Sequence, residues 1–218
     1  MSRIAMVVSL GVYPWPRWGA ARSQSIDLGS SWLNLIVAAL AAAFALLGPR
    51  LVTPYILHDY YALGVLAGAL AGFILHEYAH ERTAYRYGCW ARFMLHPLGF
   101  ALTILSGLIP AIVIIAPGAV SVACPSWGWG SSAKGEERIA AAGIKVNIAL
   151  AIMAALAAMV VHMPWRWFAL GAAEINAWIA VFNLLPIPPL DGWRLARLNP
   201  VKWLLLLLAA VIAWLLVG

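Results

Sequence analysis

Residues 76–80 read His-Glu-Tyr-Ala-His, the pattern H-E-x-x-H, near the end of a long apolar run. On a helix, positions four apart differ by only about 40° around the axis, so His76 and His80 point the same way and can share one metal ion. Glu77 sits beside them, where a carboxylate can take a proton from water held by that metal. Ionisable side chains in a bilayer segment cost about 2.5–3.5 kcal/mol each on insertion scales, so they are rarely idle there. The five-letter pattern by itself arises by chance; its apolar setting carries the argument.

A catalytic zinc usually takes three protein ligands and keeps one position for water. His76 and His80 supply two, and Asp191 is the best candidate for the third. It follows Leu184-Leu185-Pro186-Ile187-Pro188-Pro189, a break between two apolar segments, whereas Asp27 and Asp59 lie near the ends of apolar runs in less unusual surroundings. Glu77 is then expected to act as general base and afterwards as general acid towards the leaving amine. The two imidazoles must be neutral to bind metal, so activity should fall as they protonate.

The elements that must position these residues follow from composition. Of 218 residues, 64% are hydrophobic and 10% charged, against about 45–50% and 25% in an ordinary soluble domain. This predicts an integral membrane protein forming a single domain over residues 1–218. The net charge of +6 is spread as single Arg and Lys residues at the ends of apolar runs. That pattern suits membrane orientation and argues against nucleic-acid binding, which needs a concentrated basic face. Cys89 and Cys124 lie 35 residues apart with no C-x-x-C, so they are expected as small packing residues rather than a disulfide or a cysteine zinc site. The first 12 residues carry one Arg and no small-residue cleavage site, so no removable signal peptide is expected.

Hydropathy and breakers predict a mainly α fold with about five transmembrane helices, over residues 32–47, 62–85, 139–161, 167–185 and 200–217. Gly64, Gly68 and Gly72 recur at every fourth position, which favours close helix packing. Residues 4–12 are β-prone and too short to span, with Pro14 and Pro16 breaking the chain beyond them. Residues 93–122 are apolar but broken by Gly107, Pro110, Pro117 and Gly118. They read as a membrane-associated β or re-entrant hairpin covered by the bundle. Charge parity supports that reading: three basic clusters, around Arg22, Arg86 and Arg197, should share the cytoplasmic side. A full span at 98–116 would put Asp191 on the opposite side from His76 and His80. His58, His96 and His162 fall near span ends and are expected at the interface, and the 12 tryptophans mostly flank spans. Glu174 and Asn176 lie inside the fourth span, where a structural hydrogen bond is the expected role and a site role the alternative.

With both halves in view, the sequence resembles the site-2 protease family of intramembrane zinc metalloproteases. The matching residues are His76-Glu77-Tyr78-Ala79-His80 and Asn183-Leu184-Leu185-Pro186-Ile187-Pro188-Pro189-Leu190-Asp191-Gly192, about 110 positions apart. The second stretch resembles the family's N-x-x-P-x-x-x-L-D-G pattern and is far more specific than the first. The resemblance covers roughly residues 62–195. It implies that His76, His80 and Asp191 hold zinc, that Glu77 is the catalytic base, and that Asn183 helps hold substrate or the backbone of the site. Gly143-Ile144-Lys145-Val146-Asn147 looks like the family's G-P-x-x-N element, with Ile144 in place of the proline and an added charge at Lys145. A substrate-binding role for Asn147 is the corresponding expectation.

Ala116-Pro117-Gly118-Ala119-Val120 sits where such proteins carry a membrane-associated β segment. A strand edge near Gly118 would pair with a locally unwound substrate helix. No insertion is long enough for the PDZ domain that many relatives carry, so the chain is similar to the short archaeal-type members. Substrate selection then falls to the membrane core or to a partner.

The expected activity is zinc-dependent hydrolysis of a peptide bond in or near a substrate's transmembrane segment. The expected location is the cell membrane, multi-pass, with the site towards the cytoplasmic face. The partners are then a transmembrane protein substrate and the lipid bilayer, with no nucleic acid. Two alternatives stand beside this. One is a catalytically silent relative that binds membrane proteins, whose signature would be a substituted Glu77. The other is a metal transporter, which wants ionisable residues at several depths rather than one.

Overall fold

A computed structural model describes residues 4–6, 13–14, 25–48, 58–109, 112–124 and 133–217. Two short strands come first, β1 (Ile4–Met6) and β2 (Tyr13–Pro14). Helix α1 (Ser31–Leu47) starts where the Ser30 side chain accepts from the Leu33 amide, which satisfies one of the free N–H groups of a first turn. It ends at Gly48, whose φ of 51° lies in the left-handed region. Helix α2 (Tyr60–Arg86) is capped by Asp59, which accepts from the Ala62 amide, and the chain turns away at Gly88, φ 71°.

Strand β3 (Trp90–Leu95), helix α3 (Pro97–Gly107), and strands β4 (Ile112–Ile114) and β5 (Gly118–Ala123) follow. Then come helices α4 (Ala133–Val160), α5 (Trp165–Asn183), α6 (Asp191–Leu198) and α7 (Pro200–Leu215). Among the described residues, α2 and α4, with 27 and 28 residues, are long and apolar enough to cross a membrane. The other three expected spans are helices too. However, α1 and α7, at 17 and 16 residues, reach only about 25 Å at 1.5 Å per residue, short of a hydrocarbon core of about 30 Å.

The glycine stripe sets how the central helices lie. A Cβ on Gly64 would come 2.0 Å from the Phe168 carbonyl oxygen, and one on Gly68 2.7 Å from the Ala172 Cα. One on Gly72 would come 2.3 Å from the Asn176 Oδ1. Only glycine permits that approach, as the four-residue spacing led us to expect. The partners advance together (64 with 168, 68 with 172, 72 with 176), so α2 and α5 run parallel. Helix α4 runs the other way, with Asn147 against Gly72, Gly143 against His76 and Ile139 against His80. Helix α1 is antiparallel to α2, because Ser31 at its start bonds Glu81 near the end of α2. Helix α7 starts beside the start of α4, through Lys202 and Glu137.

Residues 93–122 double back, running out along β3 and α3 and returning along β4 and β5. Helix α3, with 11 residues, is about 16 Å long and cannot span. Strands β3 and β5 pair antiparallel from Trp90 opposite Ala123 to Leu95 opposite Gly118. Strand β2 pairs parallel on the other side of β5, giving the order β2-β5-β3, while β1 pairs parallel with β4. Pro14 therefore lies within an edge strand, where its missing N–H is tolerated. The rest of the N-terminal β-prone stretch lies outside the described residues.

One expectation is overturned here. Cys89 and Cys124 are joined by a disulfide, with Cα atoms 4.2 Å apart. The ladder explains it: with Trp90 opposite Ala123, the next pair outward is Cys89 opposite Cys124. Only the pairing register, not the 35-residue spacing, brings the two thiols together.

Candidate metal centre

His76 and His80 lie one turn apart on α2, and both are buried, at 1% and 0% exposure. Asp191, the first residue of α6, is also at 0%. The His76 Nε2 is 3.2 Å and the His80 Nε2 3.0 Å from the Asp191 Oδ2, and the two Nε2 atoms are 3.0 Å apart. His76 and His80, four positions apart, thus meet Asp191, more than a hundred positions further along the chain, at one point.

The faces of the rings turned away from this point show which atoms are free to bind. The His80 Nδ1 is 2.7 Å from the main-chain carbonyl of Ile139. A carbonyl only accepts, so Nδ1 carries the proton and the neutral ring presents its Nε2 lone pair to the cluster. The His76 Nδ1 is 2.6 Å from the Asn147 Oδ1 and does the same. Two nitrogen lone pairs and a carboxylate oxygen therefore converge, which is repulsive unless a cation sits among them. The Asp191 Oδ1 is buried with no hydrogen-bond partner, a second acceptor left over in the same place. A tetrahedral zinc with arms of about 2.0–2.1 Å has ligand-to-ligand edges of about 3.3 Å. The observed separations are close to that, and imidazole with carboxylate is a common zinc donor set. His76, His80 and Asp191 are a group that could hold a metal ion. When protons rather than a metal occupy the two Nε2 atoms, the charge and hydrogen bonds of His80 and His76 outweigh the burial that works to raise the Asp191 carboxyl and hold it well below the usual carboxylate range.

The surrounding elements are shaped to this cluster. A Cβ on Gly143 of α4 would lie 2.5 Å from the His76 ring, so the glycine makes the room that the imidazole fills. Four residues further along the same face, Asn147 holds the ring's far nitrogen. A Cβ on Gly192 would lie 2.3 Å from the carbonyl carbon of Leu184. That close approach, with the Trp203 indole donating to the Leu184 carbonyl at 2.8 Å, closes the turn between α5 and α6 that aims Asp191 inward. Glu77 is on the same turn of α2 as the histidines and is 1% exposed.

The remaining expected site residues are not at the cluster in the same sense. Asn183 is fully buried at the end of α5, its Nδ2 donating to the Ile179 carbonyl at 2.9 Å. Its Oδ1 has no partner among the described residues. Asn147 faces the His76 ring, and its other contacts are with Gly72 and Asn176. Gly118 lies in β5, where a Cβ would come 2.3 Å from the Met94 carbonyl oxygen, so close strand packing accounts for it. One residue that sequence reasoning set aside as structural, Asn176, is joined to this network through Asn147. Its one sequence signal was an amide inside an apolar span.

Known proteins agree with the cluster. The chain is 32% identical over 176 residues to "Putative zinc metalloprotease MJ0611" of Methanocaldococcus jannaschii, covering 78% of this chain and 85% of that protein. It is 30% identical over 191 residues to "Putative zinc metalloprotease Rip2" of Mycobacterium tuberculosis, covering 81% and 72%. The Mycolicibacterium smegmatis protein of the same name is 29% identical over 186 residues, covering 77% and 70%. No protein-family profile matches the chain, and no solved structure matches it. Relatives that align over most of both chains, and H-E-x-x-H and L-D-G motifs that meet in space, put this chain in the site-2 protease family.

Proposed function

We propose that the protein is a zinc-dependent endopeptidase that cuts peptide bonds in or near the transmembrane segments of membrane-protein substrates. The observation that carries this is the convergence of His76, His80 and Asp191 with a buried glutamate, Glu77, on the same helical turn. His76, His80 and Asp191 would hold the zinc. When bound, zinc supplies a Lewis acid that brings the pKa of water down from 15.7 to about 7 and polarises a carbonyl. Glu77 takes a proton from the attacking water and delivers it to the amine nitrogen as the peptide bond breaks. Asn183, whose amide oxygen has no partner among the described residues, accepts from a backbone N–H of the substrate. The strand edge expected near Gly118 is already paired on one side, because β5 lies between β2 and β3 with Gly118, Ala119 and Val120 opposite Leu95, Met94 and Phe93, so an unwound substrate could add there only on the side that β2 takes at Ser121 and Val122.

The membrane setting belongs to this proposal. Helices α1, α2, α4, α5 and α7 alternate in direction, which fits a multi-pass bundle of five crossings. The cluster lies towards the end where α2 and α5 finish and α1, α4 and α7 begin. Arg82, Arg86, Arg92, Arg138, Arg194 and Arg197 gather at that end, so the positive-inside tendency turns it towards the cytoplasm.

The test is cleavage of matched peptides by the full chain in lipid nanodiscs. One peptide carries a target bond in a transmembrane segment, and the other carries the same bond in a soluble peptide. Cleavage of the first alone, abolished by a chelator and restored by zinc, is expected. Equal cleavage of both would remove the intramembrane specificity, and cleavage indifferent to the chelator would remove the metal mechanism.

A further inference from the structure

His76 can carry its single proton on either ring nitrogen, and only the Nδ1–H form leaves Nε2 free for a metal. Asn147 alone does not decide this. Its amide can face His76 with Oδ1, which accepts from Nδ1–H, or with Nδ2, which would donate to Nδ1 and force the proton onto Nε2. The hydrogen bonds on its far side settle the matter. The Asn147 Nδ2 donates to the Asn176 Oδ1 at 3.0 Å and, at a longer 3.3 Å, to the Gly72 carbonyl. Asn176 in turn cannot flip, because its Nδ2 donates to the Gly68 carbonyl at 3.0 Å and to the Ala172 carbonyl at 2.9 Å. Main-chain carbonyls have no proton to give. The direction of every bond from α5 to the His76 ring is thus fixed by two backbone oxygens of the helix pair. All of the groups are buried, Asn147 at 0% and Asn176 at 2%, so water does not compete for them. The missing Cβ of Gly72 is what lets both amides fit, since one would come 2.3 Å from the Asn176 Oδ1 and 3.0 Å from the Asn147 Nδ2.

We propose that Asn176, which touches no metal-binding atom, is a positioning residue that sets the tautomer of His76 through Asn147. Each bond strengthens and orders the next, and the last makes the His76 Nε2 the better electron donor. The inference rests on His76 being a metal ligand, and not on what the site cuts.

The test uses the full chain in detergent micelles with two readouts. One is the nitrogen-15 spectrum of histidine-labelled, metal-free protein, in which Nδ1–H and Nε2–H imidazoles are distinct, with the His76 signal identified by its loss in His76→Gln. The other is zinc retention against a competing chelator. Asn176→Leu keeps the volume and removes the amide. It should shift His76 towards the Nε2–H form and weaken zinc by about 10-fold to 100-fold, as loss of a partner to a metal ligand does. Asn147→Asp offers only acceptors to His76, so in that background Asn176→Leu should leave tautomer and zinc affinity unchanged. If Asn176→Leu does not fold, Asn176→Asp still accepts from the Asn147 Nδ2 and should keep the Nδ1–H form. The proposal is overturned if Asn176→Leu leaves the tautomer as in wild type or weakens zinc equally in the Asn147→Asp background. It is also overturned if Asn176→Asp loses the Nδ1–H form. A protein with the wild-type tautomer pattern but no proteolysis would count against the protease reading and leave this one standing.

Discussion

His76 is gripped on three sides, by Asn147 at one nitrogen, by the cluster at the other, and by Gly143 against its ring. Gly143→Ala would place a methyl group 2.5 Å from the imidazole, well inside van der Waals contact. The ring must move, and we expect zinc affinity to fall by at least about 10-fold while the helices stay folded. Chelator competition together with circular dichroism checks this. Acidity acts on the same atoms. Asp191 is held below the usual carboxylate range, so its folded value is lower than its unfolded one. Its contribution is present above the unfolded value of about 3.9 and is lost only as the pH falls through the lower folded value. It therefore stays ionised at neutral and mildly acid pH, and the two imidazoles bind a metal only when neutral, so protons compete with zinc for them. Zinc affinity should therefore fall on acidification, approaching two protons taken up per zinc released. A flat profile over that range would mean the histidines are not ligands. The four central residues were legible in the sequence because H-E-x-x-H is a local pattern and L-D-G marks an unusual break. Asn176 was read as a structural hydrogen-bonding residue and is one, but its link to the His76 ring was not legible, because that link crosses between helices through a residue 29 positions away in sequence.

At the scale of elements, hydropathy and capping residues found α1, α2, α4, α5 and α7, each a continuous apolar run with its own start and stop, but not α3, which lies inside the expected hairpin, or the short polar α6. The every-fourth glycines also foretold a tight contact. What they could not tell was the partner or its direction, which the pairing of Gly64 with Phe168 and Gly68 with Ala172 now supplies. Gly64→Ala puts a Cβ 2.0 Å from a backbone oxygen that cannot rotate away. We expect a loss of about 1–3 kcal/mol, read as a lower unfolding temperature. An unchanged temperature would mean that α2 and α5 do not pack this closely. The strands were less legible. Residues 93–122 were expected as a membrane-associated β or re-entrant hairpin; the chain does double back, through a ladder between β3 and β5 that depends on register. The Cys89–Cys124 bond follows from that register alone.

For the whole molecule, two lines of reasoning about sidedness disagree. The arginines at the metal-site end point it to the cytoplasm. The disulfide beside that end favours an oxidising compartment, because cytosolic thiols stay reduced outside hyperthermophiles. Impermeant thiol labelling of intact cells separates them, using Arg197→Cys at the metal-site end and Met163→Cys at the other, both at exposed positions. On the charge argument, Met163→Cys labels from outside and Arg197→Cys only after permeabilisation. The reverse pattern would turn the site outward and make the disulfide the better guide. Labelling of both from outside would mean that the chain between them does not cross an odd number of times.

If three ligands hold zinc while Glu77 moves the proton, zinc content and cleavage must part company when wild type is compared with Glu77→Gln. Both proteins should hold about one zinc each, because Glu77 is not a ligand. Only wild type should cut a transmembrane substrate, with Glu77→Gln at least about 100-fold slower. Zinc missing from both would mean that His76, His80 and Asp191 do not hold the metal, and a Glu77→Gln protein that cuts as fast as wild type would mean that Glu77 does not move the proton.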